Sequence, residues 1–138
     1  MPTPDSILAL DFGDRRIGVA IASLVARLPR PLMTLQTDDD YMQSLTQIVK
    51  DEAVGALVVG LPRNLSGEDT AQTKLVREFA HQIEKLGLPV HFQDEALTSQ
   101  KAEAELKQRG PYNKEDVDAL AATYILEDFL NSHTEIKL

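Results

Sequence analysis

Three acidic residues, far apart in the chain, are the ones best able to do chemistry. Asp11 ends the apolar run Ile7-Leu8-Ala9-Leu10 and is followed by Phe12-Gly13. Four apolar residues in succession read as a strand buried on both faces, which puts Asp11 where the sheet meets solvent. A carboxylate there is costly unless something pairs with it, commonly a cation. Glu95 comes just after the short strand Val90-His91-Phe92. It reaches the edge where Asp11 stands if the two strands run parallel. A third acid has to come from the last helix. There Asp118 flanks the apolar stripe beside Ile125, Asp116 lies on the opposite flank, and helical spacing prefers Asp118 only slightly. Three converging carboxylates repel one another and raise their own pKa values. Mg²⁺ or Mn²⁺ relieves this, because hard cations take oxygen ligands, and such ions support phosphodiester cleavage.

Other segments add or remove possibilities. The loop from Gly60 to Gly67 leaves a strand and enters a helix, so Arg63 and Asn64 can meet a phosphate near a helix start. Its glycine spacing is not that of a P-loop, and Ser66 or Gly67 is the expected helix cap. Asp11-Phe12-Gly13 alone does not make a kinase, since the glycine-rich loop, strand lysine and catalytic loop are missing. His81, His91 and His133 have no metal-ligand spacing and read as surface or edge residues.

The elements that must position the acids follow from periodicity. Ile17 to Ala22 is a second strand, with Ile17, Val19 and Ile21 on one face and the small Gly18, Ala20 and Ala22 on the other. The small face lets a helix pack close to the backbone. The short turn from Phe12 to Arg15 makes strands one and two an antiparallel hairpin, and a third strand spans Leu32 to Leu35. Tyr41, Met42, Leu45, Ile48 and Val49 then repeat at helical spacing, with Thr37 or Asp38 as cap. Ala56-Leu57-Val58-Val59 is a central strand. A helix striped by Leu75, Val76, Phe79, Ala80, Ile83 and Leu86 follows, and Gly87 and Pro89 close it. This strand–helix–strand unit is a right-handed parallel crossover. A weakly amphipathic helix from Ser99, with Thr98 as its cap, runs to Arg109. Asn113 caps the last helix, striped by Val117, Leu120, Ala121, Tyr124 and Ile125, and the polar tail from Asn131 is expected to fray. The fold class is α/β, with a mixed sheet of about five strands.

At 138 residues the chain is expected to form one domain, residues 1–138, with a core from about 7 to 130. It has no cysteine, which excludes disulfides, thiolate zinc sites and cysteine nucleophiles and fits a cytoplasmic protein. No run approaches the ~20 apolar residues of a membrane span, and Met1-Pro2-Thr3-Pro4 lacks the regions of a signal peptide. The net charge of −8 argues against tracking nucleic acid by bulk electrostatics. Yet the stretch from Arg15 to Thr37 holds four arginines (Arg15, Arg16, Arg27, Arg30) and no acid.

The ordered motifs resemble a known family. Asp11-Phe12-Gly13 leads to Arg16-Ile17-Gly18-Val19-Ala20, and Val59-Gly60-Leu61-Pro62 follows with Asn64 and Gly67. Then come Asp94-Glu95 with Leu97-Thr98, and Val117-Asp118-Ala119 with Ala121-Ala122. Together these are similar to the YqgF family, also called RuvX, the Holliday junction resolvases or pre-16S rRNA nucleases. The likeness runs from about Ile7 to Phe129. It implies an RNase H-like fold with sheet order 3-2-1-4-5, and so the parallel relation needed above. It also implies Mg²⁺- or Mn²⁺-dependent hydrolysis by Asp11, Glu95 and Asp118, and it is the main reason to choose Asp118 over Asp116.

Arg16, Arg63, Asn64 and Lys114 are the expected substrate contacts. The expected substrate is nucleic acid, either the 5′ end of pre-16S rRNA in ribosome biogenesis or a branched DNA junction, handled by a monomer or homodimer away from any membrane. Two departures remove positive charge near the substrate path. Ala96 stands where arginine often follows the Asp-Glu pair, and Lys114 is followed by Glu115 and Asp116. They motivate a competing reading, a non-catalytic nucleic-acid or protein-binding module on the same fold. An actin-like ATPase would need two such domains, which 138 residues do not supply.

Overall fold

The computed structural model describes residues 3–63, 66–95, 98–136 and 138, leaving aside the side chains of 98–100. Five strands, β1 (Ser6–Phe12), β2 (Arg16–Ser23), β3 (Arg30–Gln36), β4 (Val54–Pro62) and β5 (Val90–Glu95), form one sheet in the order β3-β2-β1-β4-β5. Around it lie α1 (Tyr41–Asp51), α2 (Ala71–Ile83), α3 (Thr98–Arg109) and α4 (Lys114–Ser132). β1 pairs antiparallel with β2 and parallel with β4, and β4 pairs parallel with β5. The expected order and directions are therefore the observed ones. The carboxyl ends of β1, β4 and β5 share one edge, which is where ligands meet open α/β sheets.

Alternation along the strands sorts the residues onto two faces. Leu8, Leu10, Ile17, Val19, Leu57 and Val59 point to α1 and α2, where they bury with Leu45, Ile48, Val76, Phe79 and Ile83. Ile7, Ala9, Ala20, Ala22, Ala56 and Val58 point to α4 and meet Ala122, Ile125, Leu126 and Phe129. None of the described helices is long and apolar enough to cross a membrane.

Several boundaries differ from the sequence reading. β4 does not stop at Val59 but continues through Gly60-Leu61-Pro62, because β5 pairs alongside it as far as Pro62 with Glu95. Glu95 therefore ends a strand instead of following one. Asp40, not Thr37 or Asp38, caps α1, its carboxylate accepting the Gln43 amide at 3.1 Å. Thr70, not Ser66 or Gly67, caps α2, and Thr73 returns the bond to the Thr70 amide. The Thr73 hydroxyl also donates to the Pro62 carbonyl, which ties the helix start to the end of β4. Asn113 caps α4 as expected. That helix, however, is buried on more than one stripe. Ala122, Ile125 and Phe129 face the sheet, while Leu120 and Ala121 pack with Ala102 of α3. The tail is not simply frayed, since α4 runs on to Ser132 and Ile136 packs against its cluster.

Candidate active site

Asp11 lies opposite Gly18 in the antiparallel ladder, on the face that α4 covers. At Gly18 the α4 backbone comes down almost onto the strand. A Cβ added there would sit 2.0 Å from the carbonyl oxygen of Asp118 and 2.4 Å from its carbonyl carbon. No side chain fits, so glycine is what allows Asp118 to lie beside Asp11. Gly60 leaves room chiefly for Ile125 of α4, with the third acid at its border. A Cβ there would sit 2.5 Å from Ile125 Cδ1 and 3.3 Å from Glu95 Oε2, so the Glu95 carboxylate extends over β4 toward β1. Two strand glycines thus open the space into which acids from β5 and α4 converge on Asp11.

The electrostatics follow from that crowding. Burial pushes the Asp11 carboxyl well above the usual carboxylate range, and the charges of Glu95 and then Asp118 push it further. A hydrogen bond to Glu95 adds to the shift by favouring the protonated Asp11. Asp118 has a different neighbour. Its Oδ2 accepts from Nε of Arg16 in a close ion pair, with the two side chains 27% and 21% exposed. Among the described residues, no group of three or more Asp, Glu or His is placed so that it could hold a metal ion as it stands. Asp116, the alternative third acid, is used elsewhere. It accepts from the Asn113 amide at 3.3 Å while its own amide donates to Asn113 Oδ1 at 2.9 Å, the reciprocal cap of α4.

An open groove of about 500 Å³ adjoins Asp118, and Arg16, Tyr112, Asn113 and Lys114 line it. Residues 5–132 match the family model described as RuvX: Holliday junction resolvase. The chain belongs to the RuvX family. A protein of Maridesulfovibrio salexigens named "Putative pre-16S rRNA nuclease" is 41% identical over 130 residues, covering 90% of this chain and 96% of that one. One of the same name from Roseiflexus sp. (strain RS-1) is 36% identical over 135 residues, covering 94% and 96%. Among solved structures, T. thermophilus RuvC in complex with Holliday junction substrate aligns with a TM-score of 0.58 at 16% identity, covering 94% of this chain and 97% of that one. Fowlpox virus resolvase in complex with Holliday junction DNA aligns at 0.53 and 8%, covering 91% and 98%. At such identities the two structures establish a shared RNase H-like fold.

In this RuvX chain the expected substrate contacts separate. Arg16 and Lys114 line the groove at Asp118. Arg63 reaches Asp94 at 3.5 Å and Asp69 at 3.7 Å, and Asp69 also binds Arg77 at 2.8 Å. Since Asp94 and Glu95 are successive strand residues, Arg63 is held on the α2 side, away from the face of the acids. Asn64 and Ala96 lie outside the described residues, as does the side chain of Thr98. The arginine-rich stretch does not form one patch. Arg16 begins β2 at the acid edge, whereas Arg27 follows its far end, ~20 Å away at about 3.3 Å per strand residue. There Arg27 donates from Nη2 to the carbonyls of Leu130, at 2.7 Å, and His133, closing the end of α4. The sequence reading missed Gly60 as a positioning residue and Tyr112 as a groove residue. A glycine inside an apolar strand was the available signal for the first; Tyr112 carried none.

Proposed function

We propose that this RuvX-family protein is a divalent-metal phosphodiesterase of the cytoplasm that trims the 5′ end of pre-16S rRNA during ribosome biogenesis. One observation carries the reading: Asp11 stands half-buried against two other carboxylates at the carboxyl-end edge of an α/β sheet. Such an arrangement is unfavourable for the chain alone and suits a hard cation. Asp11, Glu95 and Asp118 would hold Mg²⁺ or Mn²⁺. When bound, the ion supplies activation of the attacking water and charge for the leaving oxygen.

The chain's own residues do the rest. Gly18 fixes the Asp118 main chain, so that only the side chain need turn from Arg16 toward Asp11. Arg16 and Lys114, on the same groove, supply cations for substrate phosphates. The names of the curated relatives favour RNA as the substrate. The family description favours a second reading, cleavage of a four-way DNA junction, which needs two active sites in a dimer.

A cleavage panel with Mn²⁺, using a pre-16S leader fragment, a four-way junction and single-stranded RNA, separates these. The expected result is trimming of the leader fragment by a protein that sediments as a monomer, with EDTA abolishing it. Symmetric junction cleavage by a dimer would replace the RNA reading, and cleavage unaffected by EDTA would overturn the metal reading. Nucleic-acid binding without cleavage of any substrate would favour a non-catalytic module.

A further inference from the structure

The ion pair between Arg16 and Asp118 joins two groups that a working metal site would need apart. The Asp118 carboxylate has Arg16 as a cationic partner. Both partners are anchored: Arg16 is the first residue of β2, and the Asp118 backbone is pressed onto that strand two residues later at Gly18. With both main chains held in packed elements, exchange of partners calls for side-chain rotation alone. The groove beside the pair is open, and Lys114 lines it too.

We infer that Arg16 and a divalent cation are alternative partners of Asp118: the guanidinium holds the carboxylate until the cation takes it, and the freed Arg16 then turns into the groove to grip a substrate phosphate. This rests on the reading that the three acids hold such an ion. The exchange makes chemical sense on both sides. A guanidinium satisfies a carboxylate with N–H donors, and it pairs with a phosphate by the same geometry. Two cations crowding one half-buried carboxylate repel each other, so Arg16 weakens cation binding when substrate is absent. A phosphate that engages Arg16 removes the competitor. By linkage the cation must then strengthen substrate binding by the same factor. Charge is thus passed from acid to substrate in step with metal loading.

Calorimetric titration of Mn²⁺ into the substrate-free wild-type protein, Arg16→Met and Lys114→Met tests this. Arg16→Met should bind Mn²⁺ tighter by about fivefold, and Lys114→Met should stay within about twofold of wild type. Because a substitution in β2 can disturb folding, the wild-type protein supplies a second readout. The Arg16 Nε–Hε resonance should shift when Mg²⁺ is added, and should not respond in Asp118→Asn. Equal or weaker Mn²⁺ binding by Arg16→Met, an equal gain in Lys114→Met, or an Nε signal indifferent to Mg²⁺ would each overturn the inference and leave the metal site standing. Failure of both wild type and Arg16→Met to bind Mn²⁺ would overturn the two together.

Discussion

The two faces of the sheet are built from the same strands to opposite ends. Toward α1 and α2 the strands present Leu8, Leu10, Ile17, Val19, Leu57 and Val59, all fully buried. Each such side chain contributes about 1.5–3 kcal/mol when removed from water. Toward α4 the same strands present Ile7 and Val58 but otherwise the small Ala9, Ala20, Ala22 and Ala56, with Gly18 and Gly60 at the acid edge and Asp11 among them. That face gives up side-chain volume so that the backbone of α4 can approach, and it takes in a half-buried carboxyl group. Both faces carry a core, but the α4 face is also cut back to place charges.

Substitutions that respect or cross this division should behave differently. The largest effect belongs to the acid face. Asp11→Asn should lower Mn²⁺-supported cleavage by at least about a thousandfold with the circular-dichroism spectrum unchanged. A variant that still cleaves would break the division at its centre. On the apolar face, Leu57→Ala should lose about 2–5 kcal/mol of stability by urea unfolding, while the protein that remains folded turns over normally. Loss of turnover without loss of stability there would mean that the two faces are not separate in role. Gly18→Ala belongs to both accounts. Its methyl group would stand 2.0 Å from the Asp118 carbonyl oxygen, so α4 must lift. It should cost about 1–3 kcal/mol and reduce cleavage as well.

The smallest expected effect sharpens the electrostatic half of the comparison. Because the folded state holds the Asp11 proton more tightly than the unfolded chain does, it binds more protons as pH rises above the ordinary carboxylate range. Stability then falls with rising pH through the window up to the raised pKa. Urea unfolding in EDTA should therefore show Asp11→Asn gaining on wild type as pH climbs from about 4, the unperturbed carboxylate range. A constant difference at all pH values would mean that Asp11 is not strained by its setting. Inactivity combined with greater stability is the pattern expected of a residue retained for function.

Much of this was legible from local pattern. The apolar run ending at Asp11, the hairpin and the small face of β2 all follow from alternation within a few residues. What escaped depends on partners distant in sequence. Gly60-Leu61-Pro62 reads as loop chemistry, yet it is strand because β5 lies beside it and pairs Leu61 with Asp94. That same register puts Asp94 within reach of Arg63, which local pattern had offered to a phosphate instead. The single stripe read for α4 understated a helix enclosed by both the sheet and α3. Asp118 and Asp116 are nearly equivalent by helical angle; the family resemblance favoured Asp118, and the Asn113 cap and the close approach at Gly18 give the physical reason. Arg16 and Asp118 are 102 residues apart, and no spacing rule joins them.

In the proposed function Asp11, Glu95 and Asp118 share a divalent cation, and anomalous scattering from Mn²⁺-soaked crystals would show it. The expected result is a peak with carboxylate oxygens from all three residues at about 2.0–2.6 Å and the Arg16 guanidinium withdrawn from Asp118. Crystals saturated with Mn²⁺ that show no peak there, or a peak that leaves Asp118 paired with Arg16, would contradict it.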